Sequence, residues 1–143
     1  MRSIRFQVNG ELPPKKGAAI SMWGNGTEAS RLIALRKAAL HALGPNRPFA
    51  QNIRLTLRVS VGRPRGGENP GDLDNFVTGV CDGLMAADPR ATVHPLFGKE
   101  ENADVDPSKT IAIRDDQHVV EINASKTVGP GTHCRYEVTL EGD

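Results

Sequence analysis

The chain has 143 residues and a formal net charge of +1, a length that suits one core rather than two, so residues 1–143 are expected to form a single domain. No stretch approaches the ~20 apolar residues of a membrane span and the start lacks the apolar run of a secretory leader; the only cysteines, Cys81 and Cys134, show neither metal-ligand spacing nor a disulfide framework. A membrane protein and a disulfide scaffold are thereby excluded, and the cytoplasm is expected.

The near-zero net charge hides a division: residues 1–65 carry 12 Lys and Arg against 2 acidic residues, whereas residues 66–143 carry 6 against 15. A basic half suited to a polyanion precedes an acidic half suited to a cation, unless folding intermixes the two.

In chain order, Ile4-Arg5-Phe6-Gln7-Val8 alternates apolar and polar residues and is broken by Asn9-Gly10, the pattern of a first strand. Two prolines keep Glu11-Leu12-Pro13-Pro14-Lys15-Lys16-Gly17 irregular, so it reads as a basic loop whose Lys15 and Lys16 are either phosphate contacts or plain surface lysines. From Thr27 or Glu28 to about Leu43 the period is helical, with Ala29, Leu32, Ile33, Ala39, Leu40 and Leu43 on the apolar face, Thr27 as N-cap and Gly44-Pro45 as the stop. Arg31, Arg36 and Lys37 are expected on its remaining surface, facing solvent or DNA. Ile53 to Val61 alternates without a break, the clearest strand, with Arg54 and Arg58 on the outer face. The Gly-, Pro- and Arg-rich residues 62–71 follow as a basic loop that carries Arg63 and Arg65, either a guide for a phosphodiester or an ordinary surface loop.

Pro70-Gly71-Asp72-Leu73-Asp74-Asn75 then opens a helix predicted from about Asp74 to Met85, burying Phe76, Val77, Val80, Cys81 and Leu84. One carboxylate at a helix entrance is a cap; two are more than one cap needs. Asp74, Thr78 and Asp82 share a flank at i, i+4 and i+8. Gly79 and Gly83 each cost about 1 kcal/mol relative to Ala, which points to close approach by a sheet or a dimer partner.

Residues 87–110, with Pro89, Pro95 and Pro107, show little period and read as an irregular insertion. Its Asn102-Ala103-Asp104-Val105-Asp106 fails as a calcium loop, because Pro107 stands where Gly is required and Ile113 where a closing Glu belongs, so these carboxylates read as solvated. Asp115-Asp116 lead into a strand through about Ala124, followed by Ser125-Lys126-Thr127-Val128 and a Gly129-Pro130-Gly131 turn. In the last strand Cys134, Tyr136, Val138 and Leu140 alternate with Arg135, Glu137, Thr139 and Glu141, and the end of the chain reads as an antiparallel pair. The element order is β-α-β-α-β-β.

Adjacent carboxylates at a strand entrance repel one another, and a bound cation relieves this if the two acidic pairs meet. The ordered set Asp72-Leu73-Asp74-Asn75, Asp82-Gly83-Leu84, Asp115-Asp116-Gln117-His118-Val119 and Lys126 resembles the RusA-like Holliday junction resolvases, whose pattern runs Asp-x-Asp-Asn, Asp-x-Leu, Asp-Asp-x-x-Val and a later Lys. The resemblance covers the chain outside residues 87–110 and is strongest over 70–84 and 113–126.

It implies an α+β fold with helices packed on a mixed sheet, a homodimer, and Mg2+-dependent hydrolysis of phosphodiesters in four-way DNA junctions during recombination and repair, with Mn2+ able to substitute. It implies a catalytic acidic cluster at Asp72, Asp74 and Asp116, assisted at the metal by Asp115 and supported by Asn75 and Asp82. Lys15, Lys16, Arg63 and Arg65 are then the DNA contacts. The family Lys that assists catalysis falls on Thr78 here, so either Lys126 takes its role, or the protein is slow, or it binds junctions without cutting them. A metal-stabilised protein with no nucleic-acid partner is the third reading.

Overall fold

Nine residues from Ile53 to Val61 turn every second side chain inward, and the sheet is assembled around them. The computed structural model describes residues 1–17, 21–62, 71–131 and 133–143. They form β1 (Arg2–Asn9), α1 (Gly26–Leu43), β2 (Ile53–Val61), α2 (Leu73–Gly83), β3 (Val119–Val128) and β4 (Arg135–Gly142). The fold is α+β, with the expected element order and a mixed four-stranded sheet ordered β1-β4-β2-β3. The inward row of β2 joins Phe6, Val8, Tyr136, Val138 and Leu140 beneath the helices, while Arg54 and Arg58 lie on the open face as the alternation requires.

β3 and β4 are not the antiparallel pair that their proximity in sequence suggests, because β2 lies between them, antiparallel to β4 and parallel to β3. The physical reason is the crossover: α2 returns the chain to the end of the sheet where β2 began, so β3 must run parallel to β2. β4 closes the other side, also pairing antiparallel with β1. Its Tyr136, Val138 and Leu140 are buried, as befits a strand with two neighbours. β3 is left at the edge with Val120, Ile122 and Val128 exposed at 62%, 51% and 60%.

α1 starts two residues before the expected cap. Asn25, in extended conformation, accepts at Oδ1 from the N–H groups of Thr27 (3.0 Å) and Glu28 (3.1 Å), which leaves Thr27 inside the first turn. Gly44 ends the helix at a φ of 59°.

Arg36 is not on a free surface of α1 but fully buried. Its guanidinium donates to the carbonyls of Gly83 (2.8 Å), Met85 (2.9 Å), Val105 (3.0 Å), Asp106 (2.6 Å) and Lys109 (2.7 Å), and lies 5.1 Å from the centre of the Trp23 ring. Burial pulls its pKa down to about 10, partly offset by the charge of Asp106. Arg31 pairs with Glu28 at 3.1 Å, and Lys37 donates to the Glu101 carbonyl at 2.6 Å.

The reason lies in residues 87–110, which are irregular as expected but packed. They form 3-10 turns at Pro95–Gly98 and Glu100–Val105, and they cover α1 with Phe97 and Val105. Phe97 joins Met22, Trp23, Ala29 and Leu32 in a second small core. Asp104, expected to be solvated, is half exposed and pairs with Lys37 at 3.4 Å. Both cysteines are free thiols; Cys81 is buried and Cys134, expected in the core, only partly so.

Candidate functional site

α2 is the axis of the site. Asp72 occupies its N-cap position in extended conformation, yet its side chain makes no capping hydrogen bond, and Asp74 follows in the first turn; both are exposed. The positive end of the helix dipole stabilises each carboxylate by roughly 0.3–1 kcal/mol while leaving its oxygens available. Capping therefore does not account for the pair. Thr78, one turn on, turns its hydroxyl back to the Asp74 carbonyl at 3.0 Å and presents no charge.

The basic loop that precedes α1 lies directly on this helix. A Cβ built on Gly79 would collide with the Pro14 carbonyl, so the glycine exists to admit the loop rather than a sheet or a dimer partner. Gly83 likewise admits Leu32 and Leu35 of α1, either of which a Cβ there would meet at 2.9 Å. The loop backbone is held from both sides: the Lys15 N–H donates to Glu28 Oε1 at 2.8 Å, and the Lys16 N–H to the Asn75 carbonyl at 3.3 Å.

The two lysines then diverge. The Lys15 side chain runs beside Gly71 at the entrance of α2, where a Cβ on Gly71 would meet its Cδ at 3.2 Å. Lys16 reaches the last turn of the helix, with Nζ 2.9 Å from Asp82 Oδ2. The helix dipole disfavours a carboxylate at that end, and the ammonium offsets it. The hydrogen bond that Lys16 donates to Asp82, and the charge of Asp82, hold the Lys16 pKa above the ordinary value, and the charge of Asp116 adds slightly to the effect. The buried Cys81 is pushed up to about 11, first by burial and then by the charges of Asp82 and Asp116. Asp82, Asp116 and Lys16, separated in sequence, thus share one electrostatic neighbourhood.

The other predicted residues fall as follows. Asp115 accepts from the Gln117 N–H at 3.0 Å and from its amide at 3.1 Å, capping the 3-10 turn Asp116–His118 that positions Asp116. Lys126 donates to the Gly71 carbonyl at 2.9 Å, tying β3 to the turn just before Asp72. Arg63 and Arg65 lie outside the described residues. Glu28, buried in α1, is a loop-positioning residue that the sequence pattern did not single out; a carboxylate in the first turn of a helix reads as an ordinary dipole partner.

The donor set is entirely oxygen, which suits a hard divalent cation. Among the described residues, however, no three His, Cys, Asp or Glu side chains converge closely enough to hold a metal ion, so the fit is one of chemistry and not of assembled geometry. No helix among the described residues is long and apolar enough to cross a membrane. Set against known proteins, the chain matches no family model and no curated sequence.

Proposed function

We propose that this protein is a metal-dependent endodeoxyribonuclease acting on branched DNA, of the RusA-like kind its motifs resemble. The observation that carries the reading is the seating of the Pro14-Lys15-Lys16 loop on Gly79, which sets two ammonium groups along a helix that bears three carboxylates. A site that cuts phosphodiesters needs both: carboxylates for a cation and fixed positive charge for the phosphate oxygens.

Asp72, Asp74 and Asp116, with Asp115 beside them, are the residues that would hold Mg2+ or Mn2+. A cation held there would supply polarisation of the phosphate and a lowered pKa for an attacking water. Lys15 meets the backbone near the helix entrance. Lys126 steadies the turn that presents Asp72 and is the nearer candidate for the role the family gives to the position of Thr78. A cytoplasmic homodimer fits this reading, and the exposed edge strand β3, with three bare apolar side chains, is a surface on which a second copy could close.

Two observations favour a second reading, a junction-binding protein that does not cut: Thr78 supplies no charge, and among the described residues the carboxylates are not drawn together. Incubation of the protein with a labelled four-way junction, with and without Mg2+, separates the two. Paired nicks only with metal support the nuclease; a shifted but intact junction in both conditions supports the binder; neither binding nor cutting overturns both.

A further inference from the structure

We propose that the open face of the sheet carries a phosphate-binding site of its own, built on Arg58 of β2 and Arg135 of β4. The residues of β1, β2 and β4 that register turns away from the helices are all polar, and at one end of that face the charges cancel in pairs. Arg5 meets Glu137 at 2.8 Å, Arg54 approaches Glu121 at 4.0 Å, and Arg54 stands opposite Glu141 in register.

At the other end they do not cancel. Ser60 pairs with Arg135 and Arg58 with Glu137, so the two guanidinium groups are diagonal neighbours on adjacent strands, with attachment points roughly 7–8 Å apart. Both are exposed, and neither forms an ion pair among the described residues; Glu137, directly opposite Arg58 and lining the same space, pairs through Oε2 with Arg5. Register leaves Arg5, Arg58 and Arg135 with one carboxylate, Glu137, among them, so this part of the face keeps an excess of positive charge.

The space for that anion is present. A cavity of about 230 Å³ is lined by Gln7, Arg58, Ser60, Arg135, Tyr136 and Glu137, room for roughly seven waters at about 30 Å³ each. Tyr136 turns its ring into the core, so it is the strand backbone that forms the floor there. Two planar guanidinium forks beside a serine hydroxyl and a side-chain amide are a donor-rich setting that matches a phosphate better than a single carboxylate.

The site is distinct from the α2 cluster. Arg58 and Ser60 face away from the helices, whereas Lys126, beside Val59 on β3, turns toward α2. Both lie at the end of the sheet where β2 finishes. Where the DNA reading holds, the phosphate belongs to a second stretch of backbone, one that passes over the sheet while another engages α2; the phosphate site itself does not depend on cleavage.

The test is a 1H–15N titration of the full chain with inorganic phosphate, followed by duplex and four-way-junction binding across a salt series. Phosphate should shift the amides of Arg58, Ser60 and Arg135, and Arg58→Gln with Arg135→Gln should abolish those shifts while Asp72→Asn leaves them. If nucleic acid is the source, the double variant should bind DNA roughly tenfold more weakly, with a salt slope shallower by about 0.9 per guanidinium removed. Phosphate shifts with unchanged DNA affinity assign the site to a free phosphate compound. No phosphate-dependent shift at these residues in the unmodified protein overturns the proposal, whatever the nuclease assay shows.

Discussion

The Pro14 carbonyl occupies the place where a side chain on Gly79 would be. That contact, with the Lys16 N–H bond to the Asn75 carbonyl, seats the loop near the N-terminus on the central helix, beside which both lysines of the loop then lie. In an unpacked helix Gly→Ala stabilises by about 1 kcal/mol. Here Gly79→Ala should instead destabilise by about 1–3 kcal/mol through overpacking. Gly83→Ala should cost less, because its Cβ meets only the ends of Leu32 and Leu35. Urea unfolding of both variants measures the order; a stabilised Gly79→Ala would show that the loop is not seated on α2.

Arg36 satisfies five carbonyls with one side chain. An unpaired buried carbonyl costs about 1–3 kcal/mol, so Arg36→Met should lose more than about 4 kcal/mol despite its similar volume. Arg36→Lys should not rescue it, having three donors in place of five. Limited proteolysis should find new cleavage within residues 85–110 in both variants. Wild-type resistance in Arg36→Met would contradict the strapping role.

Alkaline pH should weaken the fold. The Cys81 thiol ionises near 9.0 when exposed but only at about 11 in the native state. Between those values the folded chain holds the proton that the unfolded chain has released, so stability falls as pH rises, by at most about 2–3 kcal/mol. The raised Lys16 pKa acts in the same direction: its contribution is complete below 10.5 and is lost as pH passes above the native value. Tyr136, whose pKa burial also raises, adds to the loss above 10.0. Cys81→Ala should flatten the decline between pH 9 and 11 in denaturant titrations, and an unchanged slope would assign it to Tyr136 and Lys16.

The catalytic assignments separate by substitution. Asp72→Asn, Asp74→Asn and Asp116→Asn should each abolish Mg2+-dependent junction cleavage while preserving or tightening binding, because loss of a carboxylate also removes repulsion of the phosphate. Asp104→Asn should do little. Any one of the three that cuts normally is not a ligand.

Deletion of a preorganised group that stabilises charge typically costs ~10²–10³ in rate. Thr78→Lys should therefore raise single-turnover cleavage with little change in junction affinity, and Lys126→Ala should lower it. If neither alters a measurable rate, neither position faces the transition state.

Local pattern determined much of this protein. Unbroken alternation from Ile53 to Val61 and the apolar period after Asp72 were sufficient for β2 and α2, because each records which face of one element meets water. The acidic pair stood out at the helix entrance, and Asp72 makes no side-chain capping hydrogen bond there. Strand pairing was not legible: alternation on β3 and β4 says that each has a buried face, not that β2 stands between them. Nor was the fate of Arg36, whose charge reads as surface until residues 87–110 fold over it and bring five carbonyls to it. The meeting of Lys16 with Asp82 was likewise settled only by tertiary structure. Positions this far apart in the chain are joined by packing, here by the absence of one Cβ at Gly79, and no local period encodes which distant backbone will fill that gap.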